Sequence, residues 1–185
     1  MEKPMTRALL APLMLIALAA CSSAPTAPTA PVTSVPEALR PAAPSTATRT
    51  LLARGVQIYE CRAKQGDAQV SEWAFVAPEA ELLDAQGKTV GRHYVGPRWE
   101  SAVDGSKLIG AAQARVDAPG SVAIPWLLLS TKAEGPSGEF SGTTNIQRIN
   151  TVGGVAPAGA DCTLASRGKT ARVPYTADYV FFGPR

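Results

Sequence analysis

The amino-acid sequence predicts an all-β fold: a single antiparallel β-barrel or sandwich domain of about eight strands. From Arg54 onward, short segments rich in β-branched and aromatic residues are separated by turn residues. No amphipathic stretch of about 10–15 residues separates these segments, as a parallel α/β fold would require. The chain also contains 16 Gly and 16 Pro, which favour turns over long helices. Strands of this number and length are typical of a barrel or a sandwich.

The predicted strands follow one another at short intervals along the chain. Each is bounded by residues that favour turns, mainly Gly, Pro, Asn and Asp. In chain order the strands cover residues 55–61, 72–76, 82–83, 89–95, 107–116, 124–130, 143–152, 161–166 and 171–182.

Two of the turns between these strands have a specific signal. Asp84 is followed three residues later by Gly87, a spacing that suits a type I turn with a bulge. The strands on either side of this turn are therefore expected to form a hairpin. Asp104 and Gly105 mark a second turn, directly before the strand that covers residues 107–116.

Two strands also indicate which of their faces are buried. Residues 124–130 have the sequence IPWLLLS, which predicts a strand buried on both faces, with Trp126 in the core. Pro125 lies near the start of this strand, where a proline is tolerated. The last strand places four apolar or aromatic side chains on one face. They are Val173, Tyr175, Tyr179 and Phe181.

Residues 1–20 are typical of a secretory signal peptide. A short basic segment precedes an apolar run at residues 8–20, which is too short to span about 30 Å of hydrocarbon as a helix. The run continues into the sequence LAAC at residues 18–21, which is similar to the lipobox of bacterial lipoproteins. In that motif the cysteine is acylated and becomes the first residue. The alternative is an ordinary signal peptide that is cut after Ala20 without lipid addition.

The residue after the lipobox cysteine predicts the membrane to which the protein is attached. An Asp at this position retains lipoproteins at the inner membrane of a Gram-negative cell, whereas this chain has Ser22. We therefore expect an exported protein, anchored to the outer membrane through acyl chains such as palmitate on Cys21. Several acyl chains hold firmly, because each buried methylene contributes about 0.8 kcal/mol.

Residues 21–50 are predicted to be the lipidated cysteine and a disordered linker. This segment consists mainly of Ala, Pro, Thr and Ser, and it cannot bury enough apolar surface to offset the entropy of ordering it. Its prolines favour an extended polyproline conformation, so the linker would hold the domain, residues 51–185, away from the membrane. The alternative is a Pro-rich ligand for a partner protein.

The two remaining cysteines, Cys61 and Cys162, predict a disulfide bond. The chain has three Cys, of which one is assigned to the lipid, and an even pair in an exported protein is normally oxidised. The alternatives are a metal pair or a reactive thiol. Neither cysteine has a second Cys or a His at ligand spacing, which favours the disulfide.

Six sequence blocks occur in a fixed order within residues 54–182. They are 55–61 (GVQIYEC), 91–100 (GRHYVGPRWE), 104–106 (DGS), 124–129 (IPWLLL), 146–154 (IQRINTVGG) and 173–179 (VPYTADY). These blocks resemble an uncharacterised family of secreted proteins from bacteria and fungi, known as domain of unknown function 3455. The resemblance implies no activity, because the family has no established one.

Composition and motifs exclude several classes of function. The net charge of +3, without any run of like charges, argues against a nucleic-acid partner. No G-x-S-x-G motif occurs, and Gly153-Gly154 lacks the spacing and the following helix of a phosphate-binding loop. One His and two paired Cys do not make a zinc site. We therefore expect neither a metal nor a cofactor.

Three residues are candidates for catalysis: His93, Glu100 and Asp178. His93 is the only histidine, and in a hairpin strand its alternative role is structural. The two carboxylates lie near aromatic residues, and a pair of carboxylates at a suitable distance serves a glycosidase. The alternative for Asp178 is an ion pair with Arg148 or Arg172.

Aromatic and polar side chains in the same blocks suit recognition of a sugar or another small ligand at the mouth of a β-barrel. For Trp99, which follows a Gly-Pro turn, a core position and a ligand platform are both open. The candidate ligand-binding residues are Tyr94, Arg98, Trp99, Gln147, Arg148, Asn150 and Tyr175.

Three functions fit these observations. The first is a ligand-binding or structural module of the cell envelope without catalytic activity, which the lipid anchor and the missing catalytic motifs favour. The second is a hydrolase or lyase that acts on glycans. The third is a protein-interaction partner in an envelope assembly. The expected partners are therefore the membrane, through Cys21, together with a glycan or small-molecule ligand or an envelope protein.

Overall fold

The structure, a computed structural model, describes residues 34–42 and 44–184. Eight antiparallel strands form one sheet that closes into a barrel, in the order of the chain. The predicted fold class is confirmed, and of the two predicted architectures the chain adopts the barrel. The strands are β1 (Thr46–Lys64), β2 (Asp67–Leu83), β3 (Thr89–Tyr94), β4 (Arg98–Ser101), β5 (Lys107–Val116), β6 (Trp126–Glu134), β7 (Asn145–Gly153) and β8 (Thr170–Gly183). Among the described residues, the helices are short 3-10 turns at Glu37–Leu39, Pro119–Ser121, Gly159–Asp161 and Leu164–Ser166.

Strand β1 closes the barrel. It pairs with β2 over residues 52–64 and with β8 over residues 46–60, so both of its edges are hydrogen-bonded along most of its length. Each strand from β2 to β7 pairs with the strands before and after it in the chain, and β8 pairs with β7 and β1. Closure satisfies the outer edges of β1 and β8, which would be exposed in an open sheet of the same strands.

Alternate side chains of the strands point into the barrel and form its main core. Trp99, Tyr179 and Phe181 are among the largest of them, and Phe140 packs beside them from the segment between β6 and β7; each of the four is at most 1% exposed. The face predicted for the last strand is confirmed for its aromatic residues, because Tyr175 is also buried in this core.

A second apolar cluster, called the outer cluster, covers the outside of β5, β6 and β7. Leu39, from the 3-10 helix that precedes β1, is fully buried in it, and Gln147 Nε2 donates a hydrogen bond to the Leu39 carbonyl oxygen at 2.6 Å. Because Leu127 and Leu129 pack on the inner core, β6 is buried on both faces, as predicted. The outer cluster consists of Leu39, Ala118, Trp126, Leu128 and Ile149.

The folded domain begins earlier than the predicted boundary at residue 51. Strand β1 starts at Thr46, and Leu39 is buried, although composition predicts a disordered linker over residues 21–50. Composition fails here because Leu39 is one large apolar side chain in a polar, Pro-rich segment, and its burial depends on distant strands. The predicted signal peptide, the lipidated Cys21 and the linker up to residue 33 lie outside the described residues.

The hairpin predicted around Asp84 is confirmed. The Gly87 N–H donates to the Asp84 carbonyl oxygen at 3.0 Å, and Gly87 adopts a φ of 77°, which a glycine tolerates without strain. The register shifts between Leu82 and Leu83, which is the bulge that the turn spacing predicts.

Three strand predictions need correction. Residues 161–166 are not a strand: they lie in two 3-10 turns around Cys162, which its disulfide holds against β1. Residues 72–76 and 82–83 belong to the single strand β2, which continues through Pro78. Strand β4 was not predicted, because four residues are too few to show an alternating pattern.

The predicted disulfide is present between Cys61 of β1 and Cys162 of the loop before β8. The two cysteines are 101 residues apart, for which the chain-entropy model gives roughly 4–5 kcal/mol of stabilisation. Backbone hydrogen bonds support the same contact, since Cys61 bonds to Gly168 and Lys169 at 2.8 and 2.9 Å. The disulfide therefore fixes a long loop against the end of β1.

One side of the barrel wall is open. Strand β2 pairs with β3 over residues 80–83, and β5 pairs with β4 over residues 107–109. Both β2 and β5 continue past the turn that joins β3 to β4, and no described strand lies between them there. We call this gap the side opening; it is bounded by residues 75–78, 95–97 and 110–112.

We expect Leu39→Ala to lower the free energy of unfolding by about 2–4 kcal/mol, because it removes a fully buried side chain from the outer cluster. Urea unfolding followed by circular dichroism measures this change. The matched control is Glu37→Ala in the same 3-10 helix, where the side chain is 83% exposed and the expected change is about 0.5 kcal/mol or less. Equal effects of the two substitutions would show that this segment is not docked.

Candidate functional site

A cavity of about 480 Å³ enters the barrel through the side opening. Its rim comes from β2, β5 and the turn between β3 and β4, and its inner wall comes from β3, β4, β6, β7 and β8. The volume lies in the range of about 300–1,000 Å³ that is usual for small-molecule sites. The position follows from the short strands β3 and β4, which leave this part of the wall uncovered.

The rim of the cavity is apolar and partly exposed. Phe75 and Val76 of β2 are 51% and 45% exposed, and Val95 of the turn is 55% exposed. Ala111 and Ala112 of β5 form the opposite side of the rim. Adjacent exposed apolar side chains are typical of a surface that binds a partner or a ligand.

Three aromatic rings form the inner wall of the cavity. His93 stacks on Trp99 with 4.4 Å between the ring centroids, and Tyr179 contacts both rings edge-on, at 5.0 and 5.5 Å. A Cβ atom on Gly110 would lie 2.7 Å from the Trp99 ring, so this packing requires a glycine at position 110. All three rings are almost completely buried, so they hold the shape of the inner wall and expose little surface to the cavity.

His93 is an uncharged member of this wall. Its Nδ1 lies 2.8 Å from the Arg98 carbonyl oxygen, which can only accept, so Nδ1 carries the proton and Nε2 the lone pair. Burial lowers the pKa of His93 to about 3; the bond to the Arg98 carbonyl opposes this shift, and the charge of Arg148 adds to it. His93 is therefore neutral at neutral pH and a weak base.

Arg148 of β7 brings a positive charge to the cavity. Its Nε and Nη2 donate to the Pro125 carbonyl oxygen at 3.0 and 2.8 Å, which holds the guanidinium in place. Within the described part of the chain, no carboxylate forms a salt bridge with Arg148. Burial raises the pKa of Tyr59, Tyr175 and Tyr179, and the charge of Arg148 acts against this increase in each case.

Three side-chain donors of the barrel interior lack a hydrogen-bond partner among the described residues. They are Gln57 Nε2, Trp99 Nε1 and the Tyr175 hydroxyl, in side chains that are at most 3% exposed. The Tyr175 hydroxyl lies near Gln57 and Tyr179 but forms no well-aligned bond with either. A buried donor without a partner costs about 1–3 kcal/mol, and of these three side chains only Trp99 lines the cavity.

Tyr94 and Glu100 lie on the outside of the barrel, because strand alternation turns their neighbours His93 and Trp99 inward. The Tyr94 hydroxyl donates to Glu100 Oε2 at 2.6 Å, and Arg92 Nη2 donates to both carboxylate oxygens at 2.9 and 3.0 Å. These bonds from Tyr94 and Arg92 lower the pKa of Glu100. Glu100 is therefore a structural carboxylate and not a proton donor at neutral pH.

Other predicted site residues also have structural partners on the outer surface. Arg98 Nε donates to Glu134 Oε2 at 2.6 Å. Asn150 Nδ2 donates to Asp178 Oδ2 at 2.8 Å. Asp178 therefore bonds to an amide, and it does not form the ion pair with Arg148 or Arg172 that the sequence offered as its alternative role. Asn150 has a φ of 50° at an irregularity of β7, a conformation that Asn tolerates better than most residues.

The structure brings some of the predicted site residues together and separates the others. Those inside the barrel are His93, Trp99, Arg148 and Tyr175. Those that face outward are Tyr94, Arg98, Gln147, Asn150 and the carboxylates Glu100 and Asp178. The three candidate catalytic residues do not meet, because His93 faces inward and the two carboxylates face outward.

Sequence reasoning missed Phe75, Val76 and Tyr179 as cavity residues. For Tyr179 a signal was present, since it shares the inner face of the last strand with Tyr175. Phe75 and Val76 look like core residues in the sequence, and only the short pairing of β2 with β3 leaves them at an opening. Such pairing lengths are not visible in a single sequence.

Two features are absent from residues 34–42 and 44–184. No group of three or more His, Cys, Asp or Glu side chains is placed to hold a metal ion in this part of the chain. None of its helices has the length and apolar character needed to cross a membrane.

The chain matches a known protein family. The family described as protein of unknown function (DUF3455) matches residues 41–183. No curated protein and no solved structure matches the chain. The match covers the barrel from the segment before β1 to the end of β8.

We expect the imidazole of His93 to stay uncharged between pH 8 and pH 5, because burial lowers its pKa to about 3. In the unfolded chain the same group titrates near 6.5, so the unfolded state binds more protons between about pH 6.5 and pH 3. The contribution of His93 to stability is therefore lost as the pH falls through this window. Proton NMR of the single histidine measures the titration directly.

The matched variant is His93→Gln, which has no titrating group at this position. Its free energy of unfolding should decrease less between pH 7 and pH 4 than that of the unmodified protein, measured in urea at each pH. A titration of the folded protein near pH 6.5 would show that His93 is not buried in an uncharged form.

Proposed function

The chain belongs to the family of proteins of unknown function DUF3455, and we propose that its barrel binds a small, largely apolar molecule in the cavity behind the side opening. The observation that carries this proposal is the combination of an exposed apolar rim with a rigid aromatic inner wall. Sites for small molecules are usually apolar clefts with a few fixed polar groups. Here His93, Trp99 and Arg148 supply the polar groups.

Binding is favoured over catalysis by the orientation of the candidate catalytic residues. Glu100 and Asp178 are held by bonds on the outer surface, so neither reaches the cavity together with His93. A glycan-active enzyme of the two-carboxylate type needs both carboxyl groups on either side of one bond. The geometry therefore supports the ligand-binding module better than the glycan hydrolase or lyase.

The rim also favours an apolar molecule over a sugar. Sugar sites combine an exposed aromatic face with many polar groups, whereas Trp99 and Tyr179 are at most 1% exposed and the rim consists of Phe, Val, Pro and Ala. Each buried methylene contributes about 0.8 kcal/mol, and association itself costs about 4 kcal/mol or more. A ten-carbon chain would therefore bind with about millimolar affinity.

We propose further that the barrel belongs to a lipoprotein of the cell envelope, anchored to the outer membrane. The signal-like residues 1–20, with Cys21 and Ser22 after them, support this location. The disulfide is also typical of proteins from oxidising compartments. An apolar ligand suits a protein held next to a membrane, because such molecules partition into lipid.

We expect the uncharged apolar dye N-phenyl-1-naphthylamine to bind the protein with an increase in fluorescence, and Ala112→Trp to weaken this binding at least about tenfold, because the indole would fill the rim. Fluorescence titration measures both affinities. The matched control is Ala133→Trp, at an exposed position of β6 that does not line the cavity, which should bind the dye like the unmodified protein. Equal binding by the two variants would place the dye elsewhere.

We expect Cys21→Ser to abolish incorporation of labelled palmitate in a Gram-negative host, because the acyl chains are attached to the thiol of this residue. Ser22→Asp should keep the label but move the protein from the outer-membrane to the inner-membrane fraction. Metabolic labelling followed by density-gradient fractionation measures both results. Label that persists in the Cys21→Ser variant would contradict lipidation at this position.

A further inference from the structure

We propose that the molecule bound in the cavity carries one negative charge, a carboxylate, which binds Arg148 while its apolar part lies against the rim. This inference rests on the proposed binding function and names the chemical class of the ligand. It starts from a charge that the protein itself does not balance.

The guanidinium of Arg148 lies among groups that supply no negative charge. Its neighbours in the cavity are His93, which is neutral, and the aromatic rings of Trp99 and Tyr179. The described carboxylates that form salt bridges do so with other cations, on the surface of the barrel. A partly buried charge without a counter-ion destabilises a protein, so an anion in this cavity would be bound favourably.

The hydrogen bonds of Arg148 leave part of the guanidinium available. Nε and Nη2 both donate to the carbonyl oxygen of Pro125, which fixes the plane of the group, and the Tyr179 hydroxyl also lies within hydrogen-bonding reach of the guanidinium. A pre-oriented guanidinium loses little entropy when it binds an oxyanion. Bonds between a guanidinium and a carboxylate are about twice as strong as bonds between neutral groups.

Three neutral side chains of the interior also carry unpaired donors, whereas Nε2 of His93 is an acceptor. Trp99 Nε1, the Tyr175 hydroxyl and Gln57 Nε2 are buried without an acceptor among the described residues. Trp99 lines the cavity directly, and Tyr175 lies within the influence of the Arg148 charge. An interior with one cation and several unpaired donors matches a ligand group that only accepts hydrogen bonds, which is the property of a carboxylate.

The charge and shape of the cavity restrict the rest of the ligand. One guanidinium balances one negative charge, so a doubly charged phosphate monoester would leave an unbalanced charge in an apolar site. The exposed rim of Phe75, Val76 and Val95 lets an apolar tail extend through the side opening. The predicted class is therefore a monocarboxylate with an apolar body, such as a fatty acid.

The test measures displacement of N-phenyl-1-naphthylamine from the full chain without its signal residues 1–20 and with Ser at position 21. The competitors are decanoate, decanol, decyltrimethylammonium and dihexanoylphosphatidylglycerol, at pH 7.5 and below their micelle concentrations. We expect decanoate to bind at least about tenfold more tightly than decanol, because the two share one tail. Decyltrimethylammonium should bind more weakly than decanol.

Two variants test whether Arg148 is the group that binds the carboxylate. Arg148→Met should lose the tenfold advantage of decanoate over decanol, whereas Arg148→Lys, which keeps the charge, should retain part of it. Thermal unfolding shows whether each variant is folded. If Arg148→Met does not fold, the affinities of decanoate and decanol for the unmodified protein decide whether the site prefers a carboxylate.

The outcomes separate this inference from the proposed function. If the dye binds but decanoate and decanol have equal affinities, the proposal that the ligand carries a carboxylate is wrong, and the proposal of an apolar binding site still holds. No binding of dye or decanol would overturn the proposed function itself. If dihexanoylphosphatidylglycerol binds tenfold more tightly than decanoate, the proposed carboxylate is also wrong, and the ligand is a lipid with a phosphodiester.

Discussion

Closure of the barrel along β1 is the constraint on which the other features of the structure depend. Because β1 is paired on both edges, the direction of each side chain is fixed around the whole ring by alternation along the strands. A shift of one residue at this junction would turn Tyr179 outward and Asp178 into the core. The register that places the aromatic wall is therefore the same one that keeps the carboxylates on the surface.

The sequence predicts those parts of the fold that have a long or distinctive local pattern. The face of β8 and the double burial of β6 follow from seven or more consecutive residues, and the turn at Asp84 follows from its glycine three positions later. Strand β4 cannot be predicted from the sequence, because four residues are too few to show the alternation of apolar and polar side chains that marks a strand. The docking of Leu39 cannot be predicted either, because it depends on a surface that strands distant in the sequence form together.

The candidate site is predictable only in part, for a related reason. Residue type alone selects His93, Trp99 and Arg148 as polar or aromatic side chains in the sequence blocks of the family. The same reasoning also selects Tyr94 and Glu100, which are the next residues along β3 and β4 and face the outside of the barrel. The cavity itself results from a difference in strand length between β3–β4 and their neighbours. Its unpaired donors and isolated cation reduce stability, and the disulfide and the outer cluster offset this cost.

If the barrel is attached to a membrane through Cys21, as proposed, the docked segment around Leu39 has a mechanical consequence. A pulling force along the chain reaches Leu39 and its bond from Gln147 before it reaches Thr46, where β1 begins its pairing with β8. One side chain and one hydrogen bond resist such a load less than a ladder of fourteen residue pairs does. The segment would therefore detach first and lengthen the attachment by several residues, while the barrel stays closed.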